Sequence, residues 1–263
     1  RMWRFQPYQL NSTTFLPSAR ILKGMPSLIN KTCLVTGSTR GIGRAIARML
    51  AQEGARVAIC GRSEAATAQA AAELTAETSS KVVGKAADVS QYTEVVKLFE
   101  WLDEELGPLD VLVNNAGIGV FGAVGELSLE QWKRTLDTNL SGPFYCLRQA
   151  LPGMESKGGG HIVNIGSLAG AYAFPGGAAY NASKFGLTGF TDASMQDLRK
   201  KNIRVTYVMP GSTATHFGGG EPQAGADWKI WPEDIAEVVK TVLQLPERTL
   251  VSRIEVRPAR PKS

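Results

Sequence analysis

Histidine and cysteine are scarce in this 263-residue chain, which holds two histidines, His161 and His216, and three cysteines, Cys33, Cys60 and Cys146. Neither set shows the paired spacings that hold zinc, so no metal site is expected. The cysteines lie inside apolar runs and read as reduced core residues of a cytoplasmic protein, not as a disulfide framework. Long clean apolar stretches are missing too. Asn, Gly and Pro break the longest uncharged segments, which excludes a membrane-spanning helix. No repeat with a period of about 20 to 50 residues is present, which excludes a solenoid or propeller.

Charge of one sign is also lacking over most of the chain. Lys plus Arg number 29 against 24 Asp plus Glu, a difference of +5, but Arg1, Arg4, Arg20 and Lys23 supply four of those five. The remainder carries only +1. Its one dense basic run is Arg199, Lys200 and Lys201 at a helix end, where cations complement the helix dipole. A nucleic-acid partner, which needs clustered basic residues on the domain, is therefore not expected. Residues 1–24 are acid-free and rich in Arg, Ser and Thr, a transit-peptide-like composition. Two prolines and poor amphipathic periodicity favour instead an extension outside the core, ahead of Met25. Residues 25–263 are expected to form a single domain, as α/β chains of this length commonly do.

What the sequence does contain is an alternation of apolar runs and helical-period segments. Strands are expected at residues 33–37, 56–60, 81–87, 111–116, 161–166, 204–210 and 251–256, forming a parallel sheet covered on both faces. Helices are expected at 63–78, 128–157 and 178–201, with Ser128 as an N-cap and another opening at Pro232. The two long apolar helices, 128–157 and 178–201, should pack against another subunit. Residues 212–231 form a Gly-rich loop, and loops of that length are uncommon unless functional.

Two constellations carry chemistry. Between the first strand and its helix, T-G-S-T-R-G-I-G places Gly37, Gly41 and Gly43 where side chains would block a pyrophosphate, and the helix from Gly41 aims free N–H groups at that anion. Read alone, such glycines could serve only a tight turn. Downstream, Tyr180 and Lys184 share one helix face, and Ser167 lies thirteen positions upstream of Tyr180 at the end of H-I-V-N-I-G-S. A phenol titrates near ~10, and a neighbouring cation lowers that value by favouring phenolate. Lys184 is expected to supply the charge, although a half-buried Tyr beside a surface Lys would look the same in sequence.

Together with Asp88-Val89, N-N-A-G at Asn114 to Gly117, Asn139, Y-N-A-S-K at Tyr180 to Lys184 and P-G-S-T-A-T at Pro210 to Thr215, these motifs cover about residues 31–250. In this order the chain resembles the short-chain dehydrogenase/reductase family. The resemblance implies a single Rossmann-like, doubly wound α/β domain with a seven-stranded parallel sheet. It also implies a tetramer or dimer formed through the long helices, and makes the 212–231 loop a substrate lid. It assigns catalysis to Asn139, Ser167, Tyr180 and Lys184. Tyr180 would be the acid in reduction and the base in oxidation, and Ser167 would polarise the substrate oxygen. Lys184 would hold the nicotinamide ribose, and Asn139 would fix a water linking Lys184 to solvent. Asp88 and Val89 would border the adenine, Asn115 would line the nucleoside and Thr215 would touch the nicotinamide amide. Ser38, Thr39, Ile42, Ala116, Gly117, Pro210, Gly211 and Thr213 fall in the same register as further cofactor contacts.

The second strand ends I-C-G-R-S. An acid at Gly61 would bond the free ribose hydroxyls of NAD and repel a phosphate; glycine does neither, and Arg62 follows at once. Arg40 lies on the same side. Two guanidiniums can clamp a phosphate at roughly 1.5–3 kcal/mol per charge-assisted contact, so NADP(H) is the expected cofactor. The expected substrate wall, Leu168, Ala169, Phe174, Val120, Phe121, Phe217 and Trp228, is largely apolar with no evident carboxylate clamp. That suits an apolar ketone, aldehyde or 3-oxoacyl thioester. The 3-oxoacyl-carrier-protein reductase branch is the nearest likeness. The final R-I-E-V-R-P-A-R-P departs from its glycine-rich last strand, and Lys157 beside Glu155 is all that remains of its docking cluster. A non-catalytic NADP(H) sensor or scaffold is the alternative reading.

Overall fold

The protein is described by a computed structural model over residues 27–215, 217 and 227–260. The expected 1–24 extension, His216 and residues 218–226 of the 212–231 loop lie outside the described residues.

Seven parallel strands form one sheet in the order β3-β2-β1-β4-β5-β6-β7. These are β1 (Thr32–Thr36), β2 (Arg56–Gly61), β3 (Val82–Ala86), β4 (Val111–Asn114), β5 (Gly160–Ile165), β6 (Ile203–Pro210) and β7 (Arg253–Val256). Every residue of β1 and β4 is buried, whereas the edge strands β3 and β7 are only partly covered. That gradient explains the sequence pattern: a strand buried on both faces reads as an unbroken apolar run.

Alternate residues serve two separate cores. Val35, Val57, Val113 and Val163 pack on one face with Ile46 and Leu50 of α1 (Gly41–Gln52), Leu74 of α2 (Glu64–Thr78) and Val239 of α7 (Pro232–Leu243). Leu34, Ala58, Leu112 and Ile162 face the other way. They meet Leu98 and Leu102 of α3 (Tyr92–Leu106), Cys146 and Met154 of α5 (Gly142–Ser156), and Leu198 of α6 (Ala178–Leu198). All three cysteines are buried and free, as expected. The chain winds outward from β1 to β3, then returns to place β4 on the opposite side of β1. The strand order therefore reverses between β1 and β4, and in open α/β sheets the crevice beyond the strand ends at such a reversal is where ligands bind.

The expected helix at 128–157 is one helical run with a local irregularity. Ser128 caps α4 (Leu129–Leu136), its hydroxyl accepting from Gln131 N at 3.1 Å while Gln131 Oε1 accepts from Ser128 N at 2.9 Å. A π turn at Asp137–Ser141 then joins α4 to α5. Such a turn inserts a residue into the helical ladder, a feature common at functional sites. Here it carries the fully buried Asn139.

At the opposite end of the sheet, Asp110 accepts from Thr32 N at 2.9 Å and is paired with both Lys31 and Lys157. Lys157, the remnant of a docking cluster in the sequence reading, is thus occupied in closing the bottom of the fold. Among the described residues no helix is long and apolar enough to cross a membrane, and no cluster of three metal-ligating side chains occurs.

Candidate active site

The β1–α1 turn is shaped by glycine backbone. Gly37 and Gly41 adopt φ of 61° and 58°, a region that side chains disfavour, and a Cβ on Gly37 would sit 2.7 Å from Ala116 Cα. Arg40, at the N-cap of α1, makes no side-chain cap, and the first turn holds no acid. The free N–H groups and positive dipole end of α1 therefore remain available to an anion. Gly43 has a different task. A Cβ there would fall 2.4 Å from Asn115 Nδ2 and 2.6 Å from Gly37 O, so its absence lets the turn close on itself.

Above this turn lies a cleft of about 790 Å³ along the C-terminal ends of the strands. Of the expected cofactor residues, Gly37, Thr39, Arg40, Gly41, Ile42, Arg62, Asp88, Val89, Asn115, Ala116, Gly117, Pro210, Gly211, Thr213 and Thr215 line it. Ser38 and Gly43 stand behind the wall. The Ser38 hydroxyl donates to Val35 O at 2.6 Å and accepts from Cys60 N at 3.3 Å, stitching β1 to β2. Asn115 has two roles, since its Nδ2 donates to Thr36 O and Gly37 O at 2.9 and 3.0 Å and braces the glycine turn from the cleft wall. Asp88 likewise accepts from Ser90 N at 2.9 Å ahead of α3. A Cβ at Gly61 would lie 2.7 Å from Thr39 Cγ2, so an acid at that position would displace Thr39 as well as oppose a phosphate.

Tyr180, Lys184 and Ser167 meet at the other end of the same cleft. The Ser167 hydroxyl accepts from Ala169 N at 3.1 Å and lies beside the Tyr180 phenol, whose pKa it lowers. Lys184 Nζ donates to Ile165 O at 3.2 Å and lies 5.8 Å from the Tyr180 ring centre. Burial lowers the Lys184 ammonium to about 8. The phenol departs from the sequence expectation: burial raises Tyr180 above its ordinary value, and the opposing influence is the neighbouring Ser167 hydroxyl rather than the Lys184 charge. Desolvation outweighs the lowering that a cation had been expected to give.

Asn139 does not line the cleft. Its Nδ2 donates to Ile118 O at 2.9 Å and Ser183 Oγ at 3.0 Å, and its Oδ1 accepts from Ile118 N at 2.8 Å. It thus clamps the segment that follows β4 to α6. Gly117 lies between this clamp and the ammonium, where a Cβ would be 3.3 Å from Asn139 Oδ1 and 3.7 Å from Lys184 Nζ.

Aromatic rings enclose the phenol. Phe121 and Phe217 lie 5.5 and 5.6 Å from the Tyr180 ring, and Phe174 lies 6.0 Å from Phe121. Leu168 and Ala169 complete this wall, whereas Val120 and Trp228 are outside it. Tyr172, Lys229 and Arg257 also line the cleft, and none was foreseen. They come from three distant segments, and only the pairing of Pro210 with Val256 brings Arg257 to this end of the sheet.

A family model described as short chain dehydrogenase matches residues 31–224. An uncharacterized oxidoreductase of Staphylococcus saprophyticus is 35% identical over 234 residues, covering 89% of this chain and 100% of that protein. An alcohol dehydrogenase from the archaeon Thermococcus sibiricus, solved with 5-hydroxy-NADP, superposes with a TM-score of 0.83 at 31% identity, covering 89% of this chain and 99% of that one. A metagenomic short-chain oxidoreductase in complex with NADP gives a TM-score of 0.79 at 34% identity over 90% and 100% of the two chains. The glycine turn, the buried lysine beside Tyr180 and Ser167, and these likenesses have one common account: the chain belongs to the short-chain dehydrogenase family.

Proposed function

We propose that this protein is an NADP(H)-dependent oxidoreductase interconverting a carbonyl compound and the corresponding alcohol. The observation that carries the reading is the joining, in one cleft, of a glycine turn flanked by Arg40 and Arg62 with Ser167, Tyr180 and Lys184. The residues fit the dinucleotide. Gly37 and Gly41 leave the backbone open, the α1 N-terminus is uncapped by any side chain, and the two guanidiniums suit the phosphate that distinguishes NADP from NAD.

NADPH, when bound, supplies the hydride. The protein then has to hold the carbonyl oxygen and deliver a proton as charge builds on it. Ser167, fixed by Ala169 N, is placed to donate to that oxygen. Tyr180 is kept protonated by burial, so it enters reduction in its acid form. Lys184 at about 8 remains mostly charged near pH 7 and stabilises the phenolate left after transfer. Asn139 supports this arrangement from behind by fixing Ile118 and α6.

The wall of Phe121, Phe174, Leu168 and Ala169 supports an apolar ketone or aldehyde. Nothing in the Lys157 region supports a carrier-protein dock, because Lys157 is paired with Asp110. Exposed Trp132, Phe144 and Phe185 on α4, α5 and α6 support a homo-oligomer built on these helices. Apolar surface of that kind on neighbouring elements marks an interaction site. NADPH oxidation against a ketone and 3-oxoester panel tests the reading: turnover lost in Tyr180→Phe supports it, and NADPH binding without any turnover would favour a sensor.

A further inference from the structure

The cleft has two basic poles, and NADP(H) needs only one of them. Arg62 follows the last residue of β2 and Arg257 follows the last residue of β7. Five strand spacings separate β2 from β7, about 24 Å at ~4.8 Å each, so the two guanidiniums cannot serve one phosphate. Arg257 belongs to the Ser167 side. A Cβ on Gly211 would meet Leu168 Cδ1 at 3.1 Å and Pro258 Cδ at 3.2 Å, so the residue after Arg257 and the residue after Ser167 flank the same glycine.

We infer that Arg257, with Lys229 and Tyr172, holds an anionic group at the end of the substrate remote from its carbonyl. This rests on the oxidoreductase reading and names a substrate class for it. Arg257 Cζ stacks 4.9 Å from the Tyr172 ring centre, an arrangement that orients the planar guanidinium while leaving its edge for hydrogen bonding. Lys229 Nζ lies 5.7 Å from the Trp228 ring centre. Glu255 accepts from Arg257 Nη2 at 2.7 Å, but both side chains are substantially exposed at 51% and 34%. Exposed pairs of this kind are weak, and a guanidinium has five N–H donors, so an incoming anion can share or displace that contact. Among the described residues, the one acid lining the cleft is Asp88, on the far side by α3. Phe121, Phe174 and Leu168 line the same cleft, with Phe121 5.5 Å from the Tyr180 ring. The pocket therefore matches a molecule with a ketone at one end, an apolar middle and a carboxylate or phosphate at the other.

Calorimetric titration of the NADPH-loaded Tyr180→Phe protein decides this without turnover. The probes are an oxo-carboxylate series with the ketone three to seven carbons from the acid, its methyl esters, and phosphate monoesters of matching keto-alcohols. Expected is at least tenfold tighter binding of one anionic arm over the ester, with Arg257→Ala weakening that arm at least tenfold more than it weakens the ester. The better anionic arm identifies the group. Equal binding of acid, phosphate and ester, or equal loss of all three in Arg257→Ala, overturns the inference. Turnover of the neutral esters by the unmodified protein is measured in parallel. Its absence with all ketones would count against the oxidoreductase reading, whereas its presence with no anion preference would sink only the anionic pole.

Discussion

The two ends of this cleft are built from different materials. Under β1 and β2 the wall is backbone: glycines at φ near 60°, an uncapped helix end and a turn closed so tightly that Gly43 has no room for a Cβ. Under β5 to β7 the wall is side chains, including Phe121, Tyr172, Phe174, Phe217, Lys229 and Arg257, drawn from widely separated segments. Many of these are exposed at 43–54%, whereas the residues of the turn, Arg40 apart, are buried or half-buried. One end can hold only a narrow range of ligands because its shape is fixed by covalent geometry. The other can change its ligand by changing a side chain without disturbing the sheet.

The largest effect expected lies where the two ends meet. Tyr180→Phe removes the proton donor but leaves the ring among Phe121 and Phe217, so turnover should fall by about 10²–10⁴-fold. NADPH affinity, measured by fluorescence titration, should stay close to that of the unmodified protein. A comparable loss of NADPH binding would show that the phenol belongs to the cofactor end.

Lys184 gives the next test, through pH. Its ammonium, lowered from 10.5 to about 8 by burial, loses its proton as pH rises through about 8, and kcat for reduction should decline over that range. Stability should move the other way. Between about 8 and 10.5 the unfolded chain binds the proton more tightly than the folded one, so this group's contribution to stability increases with pH. Lys184→Arg, which keeps its charge, should shift the declining limb upward. A limb that does not move in that variant would take Lys184 out of the titration.

At the backbone end, Arg62→Ala should raise KM for NADPH by about 10- to 100-fold, the loss of one charge-assisted contact, with little change for NADH. Equal effects on both cofactors would mean that Arg62 does not meet the distinguishing phosphate. Gly43→Ala should cost about 1–3 kcal/mol by overpacking, seen as a lower denaturation midpoint, because Gly37 O and the braced Asn115 amide occupy the space a methyl needs.

The same division explains what could be read from sequence. The sheet was legible because strands buried on both faces must be apolar throughout, and the glycine turn because only glycine meets its backbone requirements. Tyr180 and Lys184 were legible because helical spacing alone puts them together. Arg257 was not: its place depends on the pairing of β6 with β7, which brings Val256 beside Pro210 after a separation of more than forty residues. The direction of the Tyr180 shift was misjudged for a related reason, since spacing reveals a neighbouring charge but not the burial that outweighs it. Asn139 could be read either as a site residue or as a local helix irregularity, but the π turn itself could not be seen. The run from Ser128 has one helical pattern, and the inserted residue that turns Asn139 inward leaves no gap in it.

Phe174 offers the smallest and most selective test of the side-chain end. Its ring is 43% exposed and touches the site mainly through Phe121, 6.0 Å away, so its removal opens the pocket without hollowing either core. An aromatic pair of this kind is worth about 0.5–1.5 kcal/mol, which predicts a two- to tenfold rise in KM for bulky apolar ketones in Phe174→Ala. KM for NADPH should not follow, because every contact assigned to the phosphate lies under β1 and β2. If both constants rise together, the two ends are mechanically joined through the Phe121 and Tyr180 rings, and substrate preference could not be altered independently of cofactor binding.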